Sequence, residues 1–144
     1  MTMISTRGRY ALRVMIDLAE RRSGAYIPLG EIARRQEISE KYLEAIIKSL
    51  VRAGLVQGLR GKGGGYRLTR PPEACTVGDI LRLTEGPIAP VACLNGAGTA
   101  CDRAPECRTL PMWRKLEQML NEYFDGITLA DLARPELDGN EYSI

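Results

Sequence analysis

The chain has 144 residues, 44% hydrophobic and 26% charged, which suits one compact unit or a small domain with an appended helical arm. It contains no histidine, so Ser-His-Asp and Cys-His nucleophile arrangements and every imidazole metal ligand are excluded, and an enzyme is not expected. The net charge of +2 conceals an asymmetry, because residues 1–72 carry 14 Lys+Arg against 6 Asp+Glu and residues 73–144 carry 6 against 12; this fits a polyanion-binding head on an acidic body, or two ordinary solvated faces.

Along the chain, Tyr10, Ala11, Val14, Met15 and Leu18 recur at helical spacing and predict a first helix over 7–22, closed by Arg21-Arg22-Ser23-Gly24. A linker through Pro28 leads to a second helix near 29–36. Ser39 is the N-cap of a third, which runs to about Ala53 with Leu43, Ile46, Ile47, Leu50 and Val51 as its apolar stripe and Gly54 as its stop. Leu55-Val56-Gln57 and Tyr66-Arg67-Leu68 read as two short strands around the glycine-rich segment 58–65, a hairpin. Three helices and a hairpin follow the winged-helix order, and Pro71-Pro72 marks the end of this unit. Thr76 with Asp79 opens a fourth helix that ends at Gly86-Pro87. Residues 87–108 show neither helical nor strand period. A helix returns near Thr109, with Trp113, Leu116, Leu120, Tyr123 and Ile127 as a heptad-like seam. Thr128 with Asp131 caps a last short helix, and an acidic tail follows over 135–144. The expected fold is mainly α with a small β-hairpin wing.

The exposed face of the third helix carries Lys41, Tyr42, Glu44 and Lys48. In a helix-turn-helix the first residues of the second helix reach base edges in the major groove. A carboxylate there accepts from the cytosine amino group while repelling phosphate, so Glu44 is suited to specify rather than attract. Arg60 and Lys62 lie in the glycine-rich loop, and an arginine on a hairpin tip fits the negative potential of a narrow minor groove. A nucleotide phosphate loop is rejected, since a strand rather than a helix follows and Lys62 precedes glycine. Arg7, Arg9 and Arg13 on the first helix are candidate phosphate contacts.

Cys93, Cys101 and Cys107 share the irregular segment, and Cys75 stands apart as a packing residue. The absence of a Cys-x2–4-Cys pair argues against structural zinc. The residues leave open an iron–sulfur cluster, redox-active thiols, or three unrelated cysteines.

These features together resemble the Rrf-type family of winged-helix transcription regulators, which includes the iron–sulfur sensors IscR, NsrR and RirA and the cysteine-metabolism regulator CymR. The resemblance covers nearly the whole chain, from Ile4-Ser5-Thr6-Arg7-Gly8-Arg9-Tyr10-Ala11 through Ile38-Ser39-Glu40-Lys41-Tyr42-Leu43-Glu44 to Ile127-Thr128-Leu129-Ala130-Asp131-Leu132. Arg60-Gly61-Lys62-Gly63-Gly64-Gly65-Tyr66 is its most specific segment. It implies Tyr42 and Glu44 in the major groove, Arg60 in the minor groove, and a long C-terminal dimerisation helix over 109–125. It also implies an iron–sulfur cluster, 2Fe-2S favoured over 4Fe-4S, held by Cys93, Cys101 and Cys107 in a sensor loop over 87–108. CymR-like members lack these cysteines, although the ending Glu141-Tyr142-Ser143-Ile144 is CymR-like. Two departures leave the fourth ligand open among Asp102, Glu106, a residue of the other subunit, an exogenous molecule, or an empty position. Leu110 stands where IscR-type members have histidine, and Arg9 where NsrR-type members have an acidic ligand.

The organisation expected is a winged helix-turn-helix domain over 1–72 and a sensing and dimerising part over 73–134. The function expected is that of a homodimeric regulator binding a duplex DNA operator. The alternatives are a cluster-free regulator acting through thiols or a partner protein, and a non-DNA interaction module. No apolar run reaches the roughly 18 residues of a membrane span, and Met1-Thr2-Met3-Ile4-Ser5 begins no signal core, so the expected location is cytoplasmic.

Overall fold

A computed structural model describes residues 4–21, 24–91 and 108–134. Cys93, Cys101 and Cys107, with Asp102, Glu106 and the tail from 135, lie outside the described residues. The first helix, α1 (Thr6–Glu20), starts where the Ser5 hydroxyl accepts from the Gly8 amide, and it ends slightly before the predicted boundary. Next come α2 (Leu29–Gln36) and α3 (Glu40–Arg52), joined by a turn in which Glu37 takes left-handed backbone angles, with φ of 55°. Ser39 caps α3 through the Tyr42 amide, as its sequence predicts.

The hairpin strands are β1 (Val56–Leu59) and β2 (Gly65–Leu68), antiparallel with Val56 opposite Leu68 and Leu59 opposite Gly65. The predicted glycine loop therefore contracts to 60–64, because Gly58 and Leu59 are drawn into the ladder. Ile27 bridges the other edge of β2 by exchanging two 2.8 Å hydrogen bonds with Tyr66. Gly65 is required at that junction: a Cβ there would stand 2.2 Å from the Ile27 carbonyl oxygen, and its φ is +146°.

After a 3-10 turn at Pro72–Ala74, α4 (Val77–Glu85) and α6 (Leu129–Leu132) each begin with the predicted capping box. The long helix α5 (Leu110–Asp125) lies between them in sequence. Packing runs across Pro71-Pro72. Cys75, Ile80 and Leu129 share one core with Val14, Leu43, Ile46 and Leu50 of the head, and the Leu129 amide donates to the Cys75 carbonyl. A second cluster of Val77, Leu81 and Ile88 receives Leu120, Phe124 and Ile127 from the C-terminal segment. The Arg82 guanidinium meets Asp125 in two 2.8 Å hydrogen bonds, which fixes α5 against α4. Among the described residues, no helix is long and apolar enough to cross a membrane.

Candidate nucleic-acid interface

The buried face of α3 (Leu43, Ile46, Ile47, Leu50) leaves Lys41, Glu44, Ala45, Lys48 and Arg52 exposed and Tyr42 half-buried. The helix is seated by these four residues of its apolar stripe and presents the polar face outward, while Val51, expected in the stripe, is 40% exposed at the groove because it falls at the stripe's edge. Beside it stands the hairpin, and the two enclose an open groove of about 850 Å³ lined by Glu44, Lys48, Val51, Arg52, Leu59, Arg60 and Tyr66. Thus the two predicted reading elements flank one concave, cation-bearing surface.

Arg60 and Lys62 are exposed on the tip of the wing. The tip is a tight turn in which the Gly64 amide donates to the Gly61 carbonyl. Gly64 is demanded by the chain itself, since a Cβ there would lie 2.1 Å from the Leu59 carbonyl oxygen. The glycines of the wing are therefore in part internal packing requirements. Lys48 stands 3.7 Å from the Glu44 carboxylate, one helical turn away and with both side chains in water. Such a pair contributes little to stability and leaves both groups available to a partner.

The first-helix arginines differ from one another. Arg7 donates to the Ser49 hydroxyl on α3 at 2.5 Å, which ties the start of α1 to the recognition helix. Arg9 is exposed and donates to the Thr6 hydroxyl in the same turn at 3.4 Å. Arg13 points toward the end of α2 and donates to Gln36. At the same corner Asp17, 2% exposed, accepts two hydrogen bonds from Arg35 and one from Gln36. That arrangement raises the Arg35 pKa above its ordinary value, chiefly through the hydrogen bond to Asp17. Sequence reasoning missed this corner. Asp17 does have a local signal, since it sits between the buried Val14 and Leu18 positions, but nothing local names Arg35 as its partner.

The α5 seam divides. Leu120 and Ile127 pack inward with Phe124, whereas Tyr123 is 65% exposed. Met112 and Met119, absent from the expected seam, are 53% and 54% exposed. Met112, Met119 and Tyr123 lie seven and four residues apart, so the uncovered stripe follows heptad spacing, with the half-buried Leu116 at its edge and the covered stripe offset from it. Leu110, where IscR-type members have histidine, is buried and apolar.

A further contact joins the segment before the cysteines to this surface. Glu85, at the end of α4, accepts from the Ser5 amide at 2.9 Å and from the Ser5 hydroxyl. Its carboxylate thus sits at the positive N-terminal end of α1. Gly8 leaves room for it, because a Cβ there would lie 2.3 Å from the Glu85 carboxylate oxygen.

Comparison with known proteins agrees with the surface. The family model described as Rrf2, iron-dependent transcriptional regulator, matches residues 4–135. The HTH-type transcriptional regulator CymR of Bacillus subtilis is 43% identical over 130 residues, covering 90% of this chain and 88% of the relative. IscR of Aliivibrio salmonicida is 36% identical over 129 residues, covering 90% and 76%. Among solved structures, CymR (YrzC), the global cysteine regulator of B. subtilis, superposes with a TM-score of 0.76 at 41% identity, covering 92% of this chain and 97% of that one. T. potens IscR gives 0.71 at 38% identity, covering 90% and 84%. These relatives are named as regulators rather than enzymes, and the same mainly helical, hairpin-bearing winged fold is present here. With an exposed recognition helix, a basic wing beside it and a family match spanning nearly its whole length, the chain belongs to the Rrf2 family of helix-turn-helix transcriptional regulators.

Proposed function

We propose that this regulator works as a homodimer on a two-fold-related DNA operator and senses iron–sulfur or redox status through Cys93, Cys101 and Cys107. The observation that carries the DNA-reading part is the cation-lined groove between α3 and the wing. In this reading Lys41, Tyr42 and Glu44 meet base edges, Lys48 meets phosphate or base, and Arg60 with Lys62 enters the adjacent minor groove. Arg7 and Arg9 lie toward the flanking phosphates. The uncovered Met112–Tyr123 stripe supports a dimer that places two heads about one helical turn apart.

Three cysteine thiols supply the donor type that iron–sulfur clusters use, and no histidine exists to complete an IscR-type set. When bound, the cluster would supply a state that changes with iron, oxidation or nitric oxide. The protein's part is to convey that state. Glu85 precedes the cysteine segment and holds Ser5, and Arg7 in the next turn holds Ser49 of α3, which supports a short route from sensor to reader. The similarity to CymR favours a second reading, a cluster-free regulator of the cysteine type.

Anaerobic purification with iron and sulfide analysis and visible spectroscopy separates the two. Bound iron and sulfide with visible absorbance, lost in Cys101→Ala, support sensing; their absence from a reconstituted wild type rejects it. Gel shifts at two salt concentrations test the reader. Arg60→Ala should weaken binding, while Glu44→Ala should relax preference at one base position more than it lowers affinity. Unchanged preference would refute the role given to Glu44.

A further inference from the structure

We propose that Arg13 is a positioning residue for base reading by Tyr42 rather than a contact to the DNA backbone. The proposal rests on the reading of Tyr42 as a base-reading residue. Arg13 is exposed on α1 within the basic half, and its charge alone suggests a phosphate contact. Its guanidinium is engaged otherwise. Nε donates to the Gln36 side-chain oxygen at 3.1 Å, and Nη2 donates to the Gln36 carbonyl. Gln36 ends α2, so that carbonyl is among the acceptors the helix leaves unpaired, and a cation at a helix C-terminus is favourable.

Gln36 is itself held. Its amide nitrogen donates to Asp17 at 2.7 Å, and Asp17 also accepts from Arg35 at 3.0 and 2.7 Å. A buried carboxylate satisfied by a planar guanidinium and an amide has little freedom to rearrange. From that anchor the chain of contacts runs outward. The Arg13 guanidinium lies 5.0 Å above the Tyr10 ring, within cation–π range. Tyr10 in turn meets Tyr42 edge-on, with centroids 5.8 Å apart and planes at 75°. Tyr42 is the third residue of α3, where side chains reach base edges. A reading side chain ordered before DNA arrives loses less freedom on binding and discriminates better. Arg13 therefore acts through Tyr10, and the buried Asp17 is the fixed end of the support.

The test uses the full chain. Selection from a randomised duplex library by the wild type defines its preferred site. Tyr42→Ala, Arg13→Ala, Arg13→Lys and the double variant Arg13→Ala/Tyr42→Ala are then compared on that site and its single-base variants across salt concentrations. Tyr42→Ala identifies the base position that Tyr42 reads. Arg13→Ala should lower discrimination at that same position by about 3- to 10-fold, the scale of one aromatic or cation–π contact. The salt dependence should stay as in the wild type. Arg13→Lys should behave like Arg13→Ala, because it keeps the charge and loses the planar fork. The effect of Arg13→Ala should vanish in the Tyr42→Ala background.

A fall of about 0.9 in the slope of log K against log salt, with preference intact, would make Arg13 a phosphate contact and overturn the proposal. Equal weakening at every site together with a lowered melting temperature would also overturn it, in favour of a purely structural role. If Tyr42→Ala alone leaves preference unchanged, the base-reading role of Tyr42 fails, and the proposal fails with it.

Discussion

Replacing Met119 with glutamate is the sharpest test of the proposed dimer. The position is 54% exposed in the protomer, so the substitution leaves the fold of the single chain within about 0.5 kcal/mol of its starting stability. In the dimer the same side chain would be covered. Full burial of such a group is worth about 1.5–3 kcal/mol, so covering its exposed half contributes roughly 1 kcal/mol in each protomer. Losing both methionines removes about 2 kcal/mol, and two facing carboxylates add repulsion of about 1–2 kcal/mol in a partly wet seam. The total, roughly 3–4 kcal/mol, corresponds to a hundred- to a thousand-fold weaker dimer. Sedimentation or light scattering over a concentration series reads this directly, with circular dichroism confirming that the helices persist. A palindromic duplex should lose affinity far more than a half-site does. A folded Met119→Glu protein that dimerises with the wild-type concentration dependence would refute the assignment of this stripe. Leu120→Ala is the contrasting variant: it faces the Val77–Leu81–Ile88 cluster and should lower protomer stability without dissociating the dimer first.

Gly65→Ala forces a methyl group against the Ile27 carbonyl at 2.2 Å and into left-handed backbone. It should cost about 2–4 kcal/mol in urea unfolding, detach the wing from Ile27 and weaken DNA binding at least tenfold; unchanged affinity would show that the wing is not a reading element. Cys75 titrates with a predictable sign. Burial pushes its thiol above the ordinary value, with Asp79 adding to the rise and Arg70 opposing it. The folded state therefore keeps the proton longer than the unfolded chain does, so stability is full below the ordinary thiol range and falls as pH rises through it. Urea midpoints at neutral and alkaline pH should differ less in Cys75→Ala than in the wild type, and an identical alkaline loss in both would exclude Cys75 as the source.

Much of this architecture was legible because its signals are local. The capping pairs Thr76–Asp79 and Thr128–Asp131 lie three residues apart, and both start helices where expected. Ser39 marks the start of the reading helix for the same reason. The glycine-rich wing and the basic first half are equally readable, since turn geometry and charge count need no knowledge of distant partners. The site residues on α3 and the wing could be named because the apolar stripe of a helix fixes, by subtraction, which side chains remain for solvent or DNA.

The tertiary structure decided which of several equivalent options the chain takes. The α5 sequence offers two apolar stripes about a third of a turn apart, and periodicity cannot tell which one its own α4 covers. Packing of Leu120, Phe124 and Ile127 settles this and leaves Met112, Met119 and Tyr123 outward. The proline pair at 71–72 resembles a boundary, yet α4 and α6 complete the core of the head, because Ile80 and Leu129 fill space that α1 and α3 leave open. Asp17 finds Arg35 across 18 residues, and Arg13 reaches Gln36 across 23, at distances along the chain where no local rule operates. Local sequence sets where elements begin, end and turn their polar faces; only the closing of the core selects among partners, since that choice depends on which surfaces exclude water together.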